Sequence, residues 1–562
     1  MLFFTVVLIF YLSLSQPVSA TTSPLATLSY ATYSGLTLPN NVNQFLGLPY
    51  AQPPLGPLRW RSPSPPLPSP SPSSQPIPAT EFKPICLGAG VSYPTQGQSE
   101  DCLYANVWAP ANATTKSKLP VWVFIQGGGY NALTNYNWNG SEVVEASGYG
   151  VVVVNFNYRV GIWGFLAGEG VELNVGLRDQ RGLLGWVKRE IVQFGGDPGQ
   201  VVIHGASAGA GSVAMHLVAH GGRDDGLFHG AILESIFFPA QPFVGELGWQ
   251  FDRVLNQTGC QGGNSTERME CLRGADVKVL QEVANHAQPF PGRPDPPLPI
   301  FYWTPCIDGE LIEDLPYKLF KEGKNIKVPV MMGTASNEGT VFTPNITTSL
   351  EFTTHFSNNY PLLTDSDTTA ILSLYTPPQF NTTPYFDPPN RAPLYSALAT
   401  AYGESTFICP QTNVLNYLST NTTDTSPTWA YRYNVHDDEN TRDGLGVPHL
   451  WDAAAVWGPG NINPWDRTGS YRTYNKGLVG RVRGYYFGFV KYLDPNGGKL
   501  GTEPEWEGWV GGNETATMTT TRRRRRRLLF ETGGTRMEVL GGEETQRCGF
   551  WLGLGEGRME QR

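Results

Sequence analysis

Val201-Val202-Ile203-His204-Gly205-Ala206-Ser207-Ala208-Gly209 is the stretch from which the rest of the chain is read. Val201 to Ile203 is a short β-branched run, the mark of a buried strand. Ala208 to Ala219 (AGAGSVAMHLVA) reads as a helix packed closely through small residues. Strand, Gly-x-Ser-x-Gly and helix, in that order, make a nucleophile elbow, with the serine strained at the tip of a tight turn. The flanking glycines are required because side chains there collide with the neighbouring strand and helix. Ser207 Oγ is thereby presented at the carboxyl edge of a sheet, over a helix N-terminus. The pentapeptide alone does not separate this from a chance match in a chain with 64 glycines; the elements around it do.

Upstream, Val121-Trp122-Val123-Phe124-Ile125 is a strand running directly into Gln126-Gly127-Gly128-Gly129-Tyr130. A glycine run after a strand lets bare backbone N–H groups converge on one point, which a developing oxyanion needs. Its position before the serine elbow favours that reading over a merely flexible loop. Gly150 to Asn155 is a further buried strand, and Leu183 to Gln193 is helical in pattern. Strands alternating with helices give an α/β class with a large, mostly parallel central sheet flanked by helices. No internal repeat or clean linker interrupts the chain, so one domain over 21–562 is expected. Ser62 to Pro78 is a Pro/Ser tract, read as an extended surface connection in preference to an SH3-type ligand.

Residues 1–20 carry an apolar core, Leu2 to Leu14, and end in Val18-Ser19-Ala20. This reads as a signal peptide cut after Ala20; the core is short for a membrane span. The charged C-terminus does not read as a GPI signal. Eight Asn-x-Ser/Thr sequons, at Asn112, Asn139, Asn256, Asn264, Asn345, Asn381, Asn421 and Asn513, suit an exported surface. Seven cysteines in such a chain predict a few disulfides and one leftover thiol. A secreted, extracellular protein without a membrane anchor is therefore expected. The 562 residues, 40% hydrophobic, suffice for a large core, and the net charge of −9 argues against nucleic acid as a partner. Thr515 to Thr521 with Arg522 to Arg527 reads as a low-complexity insertion near 515–527, a solvated loop in preference to a polyanion-binding run.

Phe194 to Gly209 (FGGDPGQVVIHGASAG) resembles the serine signature of the type-B carboxylesterase/cholinesterase-like lipase family. Glu100 to Pro110 is similar to that family's second signature, with Ala105 where a larger aliphatic is usual. Asn155 to Gly161 and Gly176 to Gln180 match as well. The similarity runs from about Phe45 to Trp551. Gln126-Gly127-Gly128-Gly129 and Arg547-Cys548-Gly549-Phe550-Trp551 look most like its secreted fungal carboxylesterases.

The resemblance implies an α/β-hydrolase fold and a serine carboxylic-ester hydrolase with a Ser…Glu…His triad, needing no metal or organic cofactor. On its motifs the nucleophile is Ser207. The acid is Glu338, in Ser336-Asn337-Glu338-Gly339 after the strand Val328 to Gly333. The base is His449, in Gly446 to Asp452, after the strand Trp429 to Val435. The residues alone leave the base open among eight histidines: His436 is the nearest rival, and His204, His216 and His220 read as packing or surface residues. The resemblance further implies an oxyanion hole from the N–H groups of Gly128, Gly129 and Ala208. It implies disulfides Cys86–Cys102, Cys260–Cys271 and Cys409–Cys548 with Cys306 free, and ion pairs Arg59–Glu100 and Arg159–Asp179. The expected partner is a small-molecule ester, on a monomer or weak dimer.

Five departures from the family pattern stand out. Gln126 replaces the usual His before the glycines; backbone donors make this nearly neutral. Ala206 replaces the Glu beside the nucleophile in cholinesterases, and the segment Cys86 to Cys102 lacks a Trp for cation–π binding of choline, so choline esters are poor candidates. Glu234 to Phe238 (ESIFF) stands where Ser-Gly-Ser is usual. The lipase members have a long amphipathic flap in the first disulfide loop. Here Leu87 to Asp101 is only fifteen residues and has no apolar stripe. An open gorge lined partly by aromatics such as Tyr130, and short to medium acyl esters, are expected. A triacylglycerol lipase is the alternative within enzymes. A non-catalytic binding protein is disfavoured because the triad residues are all present.

Overall fold

Val121, Val123 and Ile125 pack into one hydrophobic core, and Trp122 and Phe124, between them, into another. Val330 and Met332 alternate with Met331 in the same way. Side chains leave successive strand residues on opposite faces, so a continuous apolar run means a strand covered on both sides. The computed structural model describes residues 23–68, 75–133, 138–376, 388, 390–420, 426–462, 469–511, 525–555 and 557–560. The signal-peptide reading and Thr515 to Arg524 fall outside these residues.

Among the described residues, eleven strands form the central sheet. In chain order they are β1 (Leu36–Thr37), β2 (Val42–Pro49), β3 (Tyr104–Pro110), β4 (Leu119–Ile125), β5 (Val152–Phe156) and β6 (Gly196–Ala206), then β7 (Gly230–Glu234), β8 (Val330–Ala335), β9 (Thr428–Asn434), β10 (Arg526–Glu531) and β11 (Gly534–Val539). Across the sheet the order is β11-β10-β9-β8-β7-β6-β4-β5-β3-β2-β1. The strands from β10 to β5 in this order are parallel, and both edges are antiparallel. The protein is a single-domain α/β-hydrolase fold, as expected. Helices α1 (Val175–Glu190), α2 (Ala208–Gly222), α3 (Ala453–Trp457) and α4 (Lys476–Tyr492) matter most to the site.

Three expectations are corrected. Helix α1 begins eight residues before Leu183, because Gly176 and Gly182 mask the apolar period of its first turns. Beyond Glu190 the chain tightens into a 3₁₀ turn, Ile191–Phe194. The arginine run is not all solvated loop: Arg526 and Arg527 begin β10. Arg527 is buried, donating from Nε to Glu538 (2.6 Å) and from both Nη atoms to Glu544 (2.7 and 2.8 Å).

Disulfides join Cys86 to Cys102, Cys260 to Cys271 and Cys409 to Cys548, and Cys306 is a buried free thiol. The last bridge closes a loop of 139 residues, worth about 4–5 kcal/mol in the chain-entropy account. Of the sequons, Asn112, Asn256, Asn264 and Asn345 are exposed and Asn139 is half-buried; Asn381, Asn421 and Asn513 lie outside the described residues. No helix of the described residues is long and apolar enough to cross a membrane.

Both expected ion pairs are made. Arg59 grips Glu100 through Nε (2.6 Å) and Nη2 (2.8 Å). Arg159 grips Asp179 through Nε (2.8 Å) and Nη2 (2.7 Å), and both residues are buried. Burial pushes the Asp179 carboxyl up, against the downward pull of the Arg159 guanidinium. Asp179→Asn leaves that guanidinium buried without a counter-charge and is expected to cost about 3–5 kcal/mol. The unfolding midpoint in denaturant reads this loss; an unchanged midpoint contradicts the pairing argument.

Candidate active site

Strand β6 ends at Ala206 and α2 starts at Ala208, leaving Ser207 as the whole turn. A Cβ at Gly205 would lie 2.1 Å from Gly209 O, and one at Gly209 would lie 2.0 Å from Ile125 O. Only glycine fits at either place. Ser207 takes φ 58° and ψ −123°, a region strained for any L side chain. The turn is held by Ser207 N–H donating to Glu234 O (2.9 Å) and by Gly211 N–H donating to Ser207 O (2.9 Å).

The glycine loop packs against this turn. A Cβ at Gly127 would lie 2.6 Å from Ala206 O, and one at Gly129 would lie 1.9 Å from the Phe301 ring. The N–H groups of Gly128, Gly129 and Ala208 enter no hydrogen bond among the described residues. They are available to an acceptor in the cavity. Gln126 fixes the loop from behind: its Nε2 donates to Phe156 O (2.8 Å) and Asn157 Oδ1 (3.2 Å), and its carbonyl accepts from Tyr158 (2.8 Å).

Glu338 and His449 come from the loops after β8 and β9. His449 Nδ1 is hydrogen-bonded to Glu338 Oε2, and the acid is fully buried. The other oxygen, Oε1, accepts from Ser235 Oγ (2.7 Å) and from Ala335 N–H (2.6 Å). Phe407 and Phe342 flank the imidazole at 4.5 and 5.0 Å between ring centres. The two loops are joined by Asn337, whose N–H donates to Val447 O and whose Oδ1 accepts from Val447 N–H, both at 2.9 Å. His449 Nε2 is buried and unpaired among the described residues, so the bond to Ser207 is not closed in this structure.

Ser207, His449, Gly128 and Gly129 nevertheless line one cavity of about 320 Å³. Trp138, Phe301, Phe342, Leu450, Trp451 and Ile462 supply its apolar wall. Tyr130 does not line it, contrary to expectation. Its backbone is left-handed (φ 62°), and its buried ring packs between Phe165 and Phe237. No other histidine lines the cavity. His436 is exposed, and His216 is buried against Gln180 (2.7 Å), with burial lowering its pKa to about 3.

Ser235, Gln126 and Asn337 were not singled out as supports by sequence reasoning. Ser235 lies in the segment that departs from Ser-Gly-Ser, and its hydroxyl still reaches the acid.

An elbow serine, a Glu-bound histidine and unpaired N–H groups around one cavity of this fold suit hydrolysis of an acyl group, and the family of the chain makes it a carboxylic-ester hydrolase. The chain belongs to the carboxylesterase family: the family model described as "Carboxylesterase family" matches residues 22–551. It is 34% identical over 387 residues to Lipase 2 of Geotrichum candidum, covering 60% of this chain and 67% of that one. It is 32% identical over 447 residues to Lipase 4 of Diutina rugosa, covering 72% and 79%. The crystal structure of Aspergillus niger EstA superposes with a TM-score of 0.87 at 42% identity, over 96% of this chain and 99% of that one.

The bond from Ser235 to the charged acid predicts a graded effect. Ser235→Ala is expected to lower kcat/KM on a soluble p-nitrophenyl ester about 10- to 100-fold, the value of a hydrogen bond to a charged group. Wild-type kcat/KM in this variant contradicts the supporting role.

Proposed function

We propose that the protein is a secreted serine esterase that acts through an acyl-enzyme on short to medium acyl esters. The observation that carries the reading is the convergence of Ser207, the Glu338-bound His449 and unused loop N–H groups on one apolar cavity. His449 Nε2 takes the Ser207 proton as Oγ attacks the ester carbonyl. Glu338 holds the imidazole in the Nδ1–H tautomer and stabilises the imidazolium. Gly128, Gly129 and Ala208 receive the oxyanion through their N–H groups. His449 then protonates the leaving alcohol and activates the water that releases the acid.

The N-terminal apolar segment, the sequons and three disulfides support an extracellular setting. No carboxylate lines the cavity among the described residues, which supports an uncharged ester over a choline ester. The relatives named as lipases favour triacylglycerol lipase as the second reading. Against it, the Cys86–Cys102 loop contains no helix, and none of its residues lines the cavity.

Ser207→Ala is expected to fold with wild-type stability and to lose nearly all ester hydrolysis. Retained activity overturns the mechanism. With the wild-type enzyme, the rate on tributyrin is expected to rise hyperbolically with dissolved ester and to show no jump when droplets appear. A sharp rise at the solubility limit, with good turnover of triolein, makes the lipase reading the correct one.

A further inference from the structure

Two carboxyl groups meet beneath the triad, and no cation lies between them among the described residues. Glu234 closes β7, and Asp452 lies three residues after His449, at the start of α3. They are 0% and 1% exposed, and their carboxyl groups are within hydrogen-bonding reach of each other. The bonds around them fix most of the protons. Trp122 Nε1–H, which can only donate, gives to His204 Nδ1 (3.2 Å). His204 is therefore neutral, with its proton on Nε2, and Nε2–H donates to Glu234 Oε2 (2.9 Å). On the other side Tyr431 O–H donates to Asp452 Oδ2 (2.6 Å) and contacts the Tyr486 hydroxyl (2.9 Å). Glu234 Oε1 and Asp452 Oδ1 remain, buried and without a hydrogen-bond donor among the described residues. Two buried carboxylates this close do not both stay ionised without a cation to offset the second charge. One proton between the two orphan oxygens satisfies both.

We propose that Glu234 and Asp452 hold one proton between them, and that this acid–carboxylate pair is a positioning device that ties the His449 loop to the strand end carrying the nucleophile's support. The inference rests on the reading of Ser207, Glu338 and His449 as the triad. Its geometry touches all three. Glu234 O accepts the Ser207 N–H, the next residue, Ser235, donates to Glu338, and Asp452 belongs to the segment that carries His449. Removing the shared proton sets two negative charges against each other across that joint. Among the described residues the titratable groups facing the pair are His204, Tyr431, Tyr433, Tyr471, Tyr486 and Glu338, none of them a cation that could absorb the second charge.

The direction with pH follows. Burial is the main cause that raises both carboxyls, Glu234 to about 8, and the nearby charge of Glu338 pushes the same way. Burial lowers His204 to about 3, so it stays neutral throughout. A raised acid keeps its proton at neutral pH and loses it as pH climbs. The tied arrangement is thus the singly protonated pair present at neutral pH, and it is lost on the alkaline side.

Glu234→Gln and Asp452→Asn test this, because an amide N–H replaces the shared proton and cannot be lost. In wild type, kcat/KM on a soluble ester is expected to fall reversibly by about tenfold or more between pH about 7 and 10. In each amide variant the alkaline fall is expected to shrink to less than about threefold, with the acid limb unmoved because a single variant keeps one negative charge. The same alkaline fall in both variants overturns the proposal. A readout independent of activity is the infrared carbonyl band of a protonated carboxylic acid in the full-length protein. A band component titrating away in step with wild-type activity, and missing from whichever variant folds, is expected; no such component overturns the proposal. Failure of the triad reading shows differently, as activity surviving Ser207→Ala.

Discussion

The structure depends on one steric contact: the β6–α2 turn is so tight that backbone takes the place where two side chains would be. Gly205 and Gly209 each lie where a Cβ would be about 2 Å from a backbone oxygen. With strand and helix pressed together, Ser207 has no choice but a left-handed backbone, a strain of roughly 1–3 kcal/mol. Packing on both sides holds it there. Strands β4, β6 and β7 flank the turn in parallel register, and their inner residues are fully buried. The glycine loop after β4 is pressed against the same turn through Gly127, which is why one constraint sets both the nucleophile and the N–H groups beside it.

Around that turn, the site is assembled from strand ends that neighbour in the sheet and are distant in the chain. Parallel strands bring their carboxyl ends to one edge, so β4 delivers the glycines, β6 the serine, β7 Ser235, β8 Glu338 and β9 the loop to His449. Long-range hydrogen bonds then lock these ends to each other: Ser207 to Glu234, Ser235 to Glu338, Asn337 to Val447. Rigid strand ends with short supported loops hold reacting groups more closely than free loops do. Several buried charges meet an opposite one: Arg159 has Asp179, Arg527 has Glu538 and Glu544, and Glu404 has Arg547.

How much of this was legible in the sequence follows from distance along the chain. The elbow and the glycine loop were readable because each is a local pattern whose physics lies within about ten residues. The fold class was readable from strands apolar on both faces. His449 was not readable from its own neighbourhood: a histidine becomes a candidate base through what faces it, and its partner lies 111 residues away. The family resemblance selected it. Ser235 lay hidden for the same reason, since its bond to Glu338 spans 103 residues. Tyr130 was misplaced because the direction of a side chain after a glycine run is set by a backbone angle that no periodicity reports. Arg527 was misplaced because a run of like charges suggests solvent until the acids that pair with it, on β11 and the helix Gly542–Gly555, are folded against it.

The central claim is that the strained serine of the elbow is the attacking group, and mapping the site of covalent capture tests it most directly. The wild-type protein is treated with a fluorophosphonate ester, digested and sequenced by mass spectrometry. The account predicts one stoichiometric adduct on the peptide that carries Ser207, formed in step with the loss of ester hydrolysis. An adduct on another serine, or full inactivation with Ser207 unmodified, contradicts it.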